Sequence, residues 1–370
     1  MTFVYRGQLT VEQSRLEFLL AAVCRAFTEV DAVMLSPGMG ATGEEFEAFA
    51  RARPNVRSCT FLEAGGWRRS RGRRALRRAI ADDARRIVGV GFSVASYLPR
   101  RSCRVWCVNG IPEERLLHRQ GLLDRVAVRV AWRSARRCRP DLTVVVSGPM
   151  AQLMTERVGR ATMVVPNTVD RSVFHADPAV QPRYLTYQGG GSPWQGLDRL
   201  AEVWRELHRL EPELRFRVVT RDHRAHVLAG DLPSEAVEVR ATTDPAVVAG
   251  LLREARLGFL MRAPNLVNKV SWPMKLGEYL AAGAPVVVTR CGWDAERFVA
   301  RHGAGLVAEW DTPPNRTARQ ILNYLDELGT DRSSGVEAAA EELDGFRWLD
   351  RLAHAMRDAV EQSDRGVGPS

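Results

Sequence analysis

The sequence has 370 residues, 45% of them hydrophobic and 26% charged, with 53 basic residues against 44 acidic ones and a formal net charge of +9. At roughly 100–200 residues per domain, that length suits two domains or three, each with apolar residues enough for its own core, and it excludes wholesale disorder. The longest apolar runs, such as residues 142–146 and 285–288, fall far short of the ~18–20 needed to span a bilayer, and residues 1–10 read as a strand without a charged leader, so a cytoplasmic location is expected.

In chain order, short β-branched runs predict strands over residues 3–5, 32–35, 56–61, 86–90, 104–108, 142–146 and 162–165. A second series follows over 184–187, 216–220, 236–240, 257–260 and 285–289. Helical patterns lie between them, as over residues 11–27, 197–210 and 273–282. Alternation of this kind reads as parallel sheets covered on both faces. The Pro- and Asp-containing segment 170–182 separates two doubly wound, Rossmann-like α/β domains facing each other across a cleft. The glycine-rich end 364–370 reads as disordered.

The six cysteines are scattered, and only Cys103 and Cys107 are close, at a spacing that fits neither a zinc site nor a redox pair. Reduced, mostly buried thiols are expected. His223 and His226 have no third ligand nearby, so no metal site is expected either.

Charge is unevenly distributed. Residues 67–86 hold nine arginines against two aspartates, and a helix over 125–139 would place Arg129, Arg133, Arg136 and Arg137 on one face. Two readings stand open, a solvated face in an arginine-rich chain and attraction to anionic lipid or a phosphorylated acceptor. Nucleic acid is a poorer fit, because no aromatic interleaving supports it.

Gly38, Met39, Gly40, Ala41, Thr42 and Gly43 form a GxGxxG with Glu63 twenty residues further on. A dinucleotide fingerprint would have that form, but this one follows the second strand and is preceded by Pro37. A loop that shapes the cleft and a contact with an acceptor are the other readings.

Firmer signals come later. Gly189, Gly190, Gly191 and Ser192 directly follow a strand and precede a helix. Consecutive glycines let N–H groups converge on an anion, and a helix start adds partial positive charge. Only two basic residues are lysine, Lys269 and Lys275, and they fall within seven positions of each other. Pro273 opens a helix and Gly283 ends it, which puts Lys275 in the first turn with Glu278 on about the same face. A cation there opposes the helix dipole unless an anion lies between them. A bound diphosphate satisfies that condition, and the carboxylate one turn on could accept both hydroxyls of a ribose. The plain alternative is an exposed Lys–Glu pair worth about 0.2–0.5 kcal/mol.

Five ordered segments now resemble one family. They are Val144 to Ser147; Val164-Val165-Pro166-Asn167-Thr168-Val169-Asp170 with Phe174; Tyr187 to Gly196 with Leu197-Asp198; Ser271 to Val288, similar to a "SPLKLFEYLAAGKPVV" block; and Phe346-Arg347-Trp348. The resemblance is to retaining, nucleotide-sugar-dependent glycosyltransferases of family 4. It implies the GT-B architecture, two facing Rossmann-like doubly wound domains with a C-terminal helix crossing back. Residues 1–172 would bind the acceptor, 173–345 the nucleotide sugar, and 346–370 would form the crossover helix and tail. The implied donor-binding residues are Gly189, Gly190, Gly191, Ser192, Gln195, Lys269, Lys275, Glu278 and Glu296. Asn109, Lys275 and Glu278 would serve the transfer, and Gly38, Gly40 and Asn109 would touch the acceptor. The co-substrate would be a nucleoside-diphosphate sugar, with no metal or other cofactor. The acceptor could be a glycan, a lipid-linked molecule or a small molecule, and an anionic membrane surface is a possible partner, giving a peripheral location at its inner face.

The departures from the family are specific. Gly190 and Gln195 stand where many relatives carry Arg and Lys; Val270 replaces the first glutamate of an E-x7-E pair, leaving Glu278; and Asn109 stands where a histidine is usual. A hydrogen bond to a charged group contributes about 1.5–3 kcal/mol, so losing two costs about a hundredfold to ten-thousandfold unless the lysines and glycine amides compensate. The histidine is more dispensable, because in the mechanism the resemblance implies the departing phosphate takes the acceptor's proton. A catalytically inactive homologue that binds a partner is the reading these departures leave open.

Overall fold

The computed structural model of the chain describes residues 1–6, 9–36, 43–63, 74–76, 78, 86–98, 103–159, 162–230, 232–328 and 334–365. Gly38, Gly40 and most of the arginine-rich segment 67–86 lie outside them. The chain divides into two compact units, Met1–Pro166 with Phe346–Ser370, and Asn167–Gly345.

Among the described residues, seven strands build the first unit: β1 (Thr2–Tyr5), β2 (Val30–Ser36), β3 (Val56–Glu63), β4 (Ile87–Val90), β5 (Cys103–Val108), β6 (Leu142–Val145) and β7 (Thr162–Val164). They pair in parallel in the order β3-β2-β1-β4-β5-β6-β7. Helices α1 (Leu9–Ala26), α2 (Gly43–Arg51), α3 (Glu114–His118), α4 (Leu122–Cys138) and α5 (Gly148–Val158) lie along the connections. Local chemistry sets their ends. Ser147 accepts from the Met150 N–H at 3.2 Å, Pro149 occupies the first turn of α5, and Gly159 closes it at φ 72°, a sequence of signals that starts and stops a helix.

The second unit repeats the plan with six parallel strands: β8 (Tyr184–Gln188), β9 (Arg215–Val219), β10 (Val237–Arg240), β11 (Ala255–Leu260), β12 (Val286–Arg290) and β13 (Gly305–Glu309). Their order is β10-β9-β8-β11-β12-β13. Its helices are α6 (Leu197–Leu210), α7 (Val227–Gly230), α8 (Pro245–Arg253), α9 (Leu266–Val270), α10 (Met274–Ala281), α11 (Asp294–His302), α12 (Pro314–Leu328) and α13 (Ser334–Glu342). α6 forms where apolar residues recur at helical spacing; Leu197, Leu200, Ala201, Trp204 and Leu207 are all buried. Trp204 packs on Phe216 and Phe259 with ring centroids 4.9 and 5.7 Å apart. α10 seats closely on β11 because Gly258 leaves room. A Cβ there would lie 2.5 Å from the Tyr279 ring, whose hydroxyl donates to the Thr186 carbonyl at 3.0 Å.

The last helix, α14 (Gly345–Arg365), belongs to the first unit. Leu352, Ala353 and Met356 are fully buried in one core with Phe3, Leu16, Leu19 and Val23. Arg25 of α1 pairs with Asp350 at 2.6 Å, and Arg357 donates to the Arg25 carbonyl at 2.9 Å. Two doubly wound parallel sheets with this returning helix constitute the GT-B architecture. Among the described residues, no helix is long and apolar enough to cross a membrane.

Candidate functional site

In an open doubly wound sheet, ligands gather at the carboxyl ends of the strands where the strand order reverses. In the second unit that point lies between β8 and β11. β8 ends at Gln188 and leads into the three glycines. The Gly189 N–H donates to the Val219 carbonyl at 3.1 Å, and the Gly191 N–H donates to Asp222 Oδ2 at 2.8 Å. Gly190 alone of the three has no partner for its N–H among the described residues. A Cβ on Gly191 would meet the Arg224 Cβ at 2.4 Å, so only glycine lets this backbone approach the turn after β9. Arg224 also binds the Asp222 carboxylate, at 2.8 Å, and its hydrogen bonds hold that carboxyl well below the usual carboxylate range. The glycine loop therefore already carries one internal anion.

Past the glycines, Ser192 precedes a short turn that contains Gln195. The fully buried Asn268 ties this turn to the segment that follows β11. Its amide donates to the Trp194 carbonyl at 3.0 Å and to the Ala263 carbonyl at 2.8 Å, while its Oδ1 is buried without a partner. Lys269 follows on α9 and is exposed. Its stem runs beside the backbone that leaves β12, with Cε 3.8 Å from where a Gly292 Cβ would lie.

α10 carries the other two residues. Lys275 is its second residue and is half-buried. Neither lysine side chain has a hydrogen bond or ion pair among the described residues. Glu278, one turn on from Lys275, is buried and accepts from Gln188 Nε2 at 2.6 Å. That contact brings the α10 carboxylate to the end of β8, and it leaves Gln188 Oε1 buried and unpaired. A carboxylate is thus fixed close to the glycine loop, and two cations stand uncompensated on the flanking helices.

Glu296 has a different setting. In the first turn of α11, its Oε2 accepts from the Cys291 and Gly292 N–H groups at 2.7 and 3.1 Å. It fastens the loop beside which Lys269 runs. Asn109 lies in the first unit, just beyond the end of β5, with its Oδ1 buried and unpartnered. Gly38 and Gly40 lie outside the described residues; the motif to which they belong follows β2, the second strand. Among the described residues, no group of three His, Cys, Asp or Glu side chains could hold a metal ion.

Residues 182–327 match a family profile described as "Glycosyl transferases group 1". That span covers most of the second unit and every donor-site candidate named above. The chain has the GT-B fold, and its second unit carries the match to that glycosyltransferase family. Its fold is shared over nearly the whole length with solved structures. Sucrose-phosphate synthase from Thermosynechococcus elongatus is 12% identical, with a TM-score of 0.72 over 99% of this chain and 100% of that one. HepE from Anabaena, solved in complex with UDP and glucose, is 16% identical, with a TM-score of 0.69 over 97% of this chain and 100% of that one. A glycosyltransferase from Rickettsia africae is 12% identical, with a TM-score of 0.65 over 97% and 98%. At such identities the likeness is one of fold. No curated protein matches the chain by sequence.

Sequence reasoning missed four residues of this site. Gln188 and Asn268 orient the site by the contacts given above. Asp222 occupies Gly191. Arg262, buried just after β11, lies over the Trp293 ring at 5.4 Å and donates to Ser271 Oγ at 3.2 Å. Position offers a signal for two of them, because Gln188 immediately precedes the glycines and Asn268 immediately precedes Lys269. Nothing local marks Asp222 or Arg262.

Proposed function

We propose that the chain moves a sugar from a nucleoside-diphosphate sugar, bound on the second unit, to an acceptor bound on the first, with retention at the anomeric carbon. The observation that carries this reading is Glu278 held at the end of β8, the reversal point of the second sheet, with two lysines that have no partner among the described residues on α9 and α10. Lys275 and Lys269 would bind the diphosphate, Gly190 would offer its free N–H to a phosphate oxygen, and Glu278 would accept from the ribose hydroxyls. Ser192 and Gln195 border the same loop. Glu296 would contribute by holding the Gly292 loop. Breakage of the bond from the anomeric carbon to the phosphate oxygen leaves the electron pair on the diphosphate. The departing phosphate takes the proton of the acceptor hydroxyl as the new glycosidic bond forms on the same face. Ammonium groups aimed at the leaving oxygens stabilise that charge in the transition state. No protein base is then required, and Asn109 orients an acceptor hydroxyl through its unpaired Oδ1.

The reaction so described needs no metal ion, because fixed lysines carry the positive charge. We place the protein in the cytoplasm, at the inner face of a membrane. Calorimetric titration with UDP, GDP, dTDP and ADP tests donor binding, and mass spectrometry of nucleotide released from a panel of activated sugars tests transfer. A second reading, an inactive homologue acting as a binding subunit, draws support from the Asp222 carboxylate seated on Gly191. Failure of all four nucleotides to bind at millimolar concentration would favour it.

A further inference from the structure

Between β5 and β6 of the first unit, α4 presents two unlike faces. Val128, Trp132, Ala135 and Cys138 are buried, and Trp132 donates from Nε1 to Glu113 at 2.9 Å while lying under Arg157. On the opposite face, Leu122 is 76% exposed, Leu123 82%, Val126 43% and Val130 49%. At 100° per residue these four fall on one side of the helix, and Arg125, Arg129, Arg133 and Arg137 are interleaved with them. These arginines have no ion pair among the described residues. The one acid within α4, Asp124, is buried and paired with Arg115. Isolated exposed leucines are common, but an apolar cluster on a single helix face with only cations around it is not.

We propose that this face of α4 docks on an anionic lipid bilayer, with Leu122 and Leu123 entering the headgroup region and the arginines on lipid phosphates. Charge complementarity selects the occupant. A neutral protein groove would leave four guanidinium groups unmatched, and nucleic acid would leave the leucines in water. A helix with leucines at its start and arginines along the same exposed face suits the boundary between headgroups and acyl chains.

The fold adds an orientation. A connection between parallel strands begins at the carboxyl end of the sheet and runs back along it. Leu122 and Leu123 open α4, so they lie on the same side of the first sheet as Asn109, which follows β5. Docking through them turns the proposed acceptor edge towards the lipid. Resting on the function proposed above, this assigns the acceptor to the lipid-linked class.

The test is flotation of the full chain with phosphatidylcholine vesicles, with and without about 30 mol% phosphatidylglycerol, at about 0.05 and 0.5 M salt. Binding to the anionic vesicles at low salt, with at least about a tenfold preference over neutral ones, is expected. Arg129→Ala with Arg133→Ala should weaken it about 25-fold, at roughly fivefold per arginine near an anionic surface. Leu122→Ser with Leu123→Ser should weaken it about tenfold or more at either salt. Thermal melting and nucleotide titration should be unchanged in both variants. Absence of binding, equal binding to neutral vesicles, or indifference to the leucine pair overturns the proposal. So does a vesicle-free loss of self-association in the leucine variant, which would make the face a contact between copies. If vesicles bind and no nucleotide does, the docking surface stands and the glycosyl-transfer reading falls.

Discussion

Replacing Lys275 with alanine should move ligand affinity and stability in opposite directions. In the free protein Lys275 is the second residue of α10, half-buried, with no hydrogen bond or ion pair among the described residues. An ammonium group at that end of a helix opposes the macrodipole by about 0.3–1 kcal/mol, and alanine is also the better helix former. For a unit of this size, removal should raise Tm by about 1–4 °C. Binding of a diphosphate reverses the balance, because the lysine then makes a charge-assisted hydrogen bond worth about 1.5–3 kcal/mol. Its loss should weaken the best-binding nucleoside diphosphate about 10- to 150-fold, while the matching nucleoside changes by less than about twofold. Calorimetry with the diphosphate and nucleoside, beside a melting curve of each protein without ligand, reads both effects. Equal weakening of the two ligands would refute the assigned role. So would a fall in Tm, which would mean that Lys275 has a structural partner in the free state.

Three further outcomes follow from the geometry. Gly258→Ala forces a Cβ to 2.5 Å from the fully buried Tyr279 ring, and overpacking of that kind should lower Tm by about 3–10 °C in a melting scan. Asp222 has its pKa depressed by Arg224 and by the Gly191 and Arg224 N–H groups. A depressed carboxyl stabilises the fold above its ordinary pKa of about 4 and loses that contribution as pH falls towards its folded value. The Tm gap between the natural protein and Asp222→Asn should therefore be full near neutrality and narrow as pH drops below about 4. Burial pushes the Cys107 and Cys291 thiols up to about 12. At about pH 8 only one in roughly ten thousand is then a thiolate, so peptide mapping after iodoacetamide treatment of the folded protein should find both unmodified; rapid labelling would mean that they are accessible.

The sequence made the strands legible wherever β-branched residues run together, and it placed twelve of the thirteen described strands. It missed Gly305–Glu309, an edge strand that opens on glycine and has only Ala308 fully buried, too weak a pattern for a run of its length. The helix carrying Lys275 and Glu278 was readable because Pro273 and Gly283 mark its ends. The fixing of Glu278 was not, since Gln188 lies 90 residues away in the chain and meets it only through the pairing of β8 with β11. Asp222 was hidden for a similar reason. It reaches Gly191 from 31 residues on, across the β8–β9 pair, and no spacing rule encodes a contact made by sheet order. For Glu296 the sequence carries a second signal beside its expected place at the donor. A glutamate in the first turn of a helix often reaches back to N–H groups just before it, and Glu296 does so at Cys291 and Gly292.

The returning helix imposes an order of events on the newborn chain. Because Leu352, Ala353 and Met356 complete a hydrophobic core begun by Phe3 and Leu16, the amino-terminal half cannot close while it is being translated. Residues 167–345 emerge in the interval and contain all six described strands of their own sheet, so the later half can be finished before the earlier one. A premature stop just after Gly345 would then leave an intact second unit attached to a half with an open, aggregation-prone seam along α1.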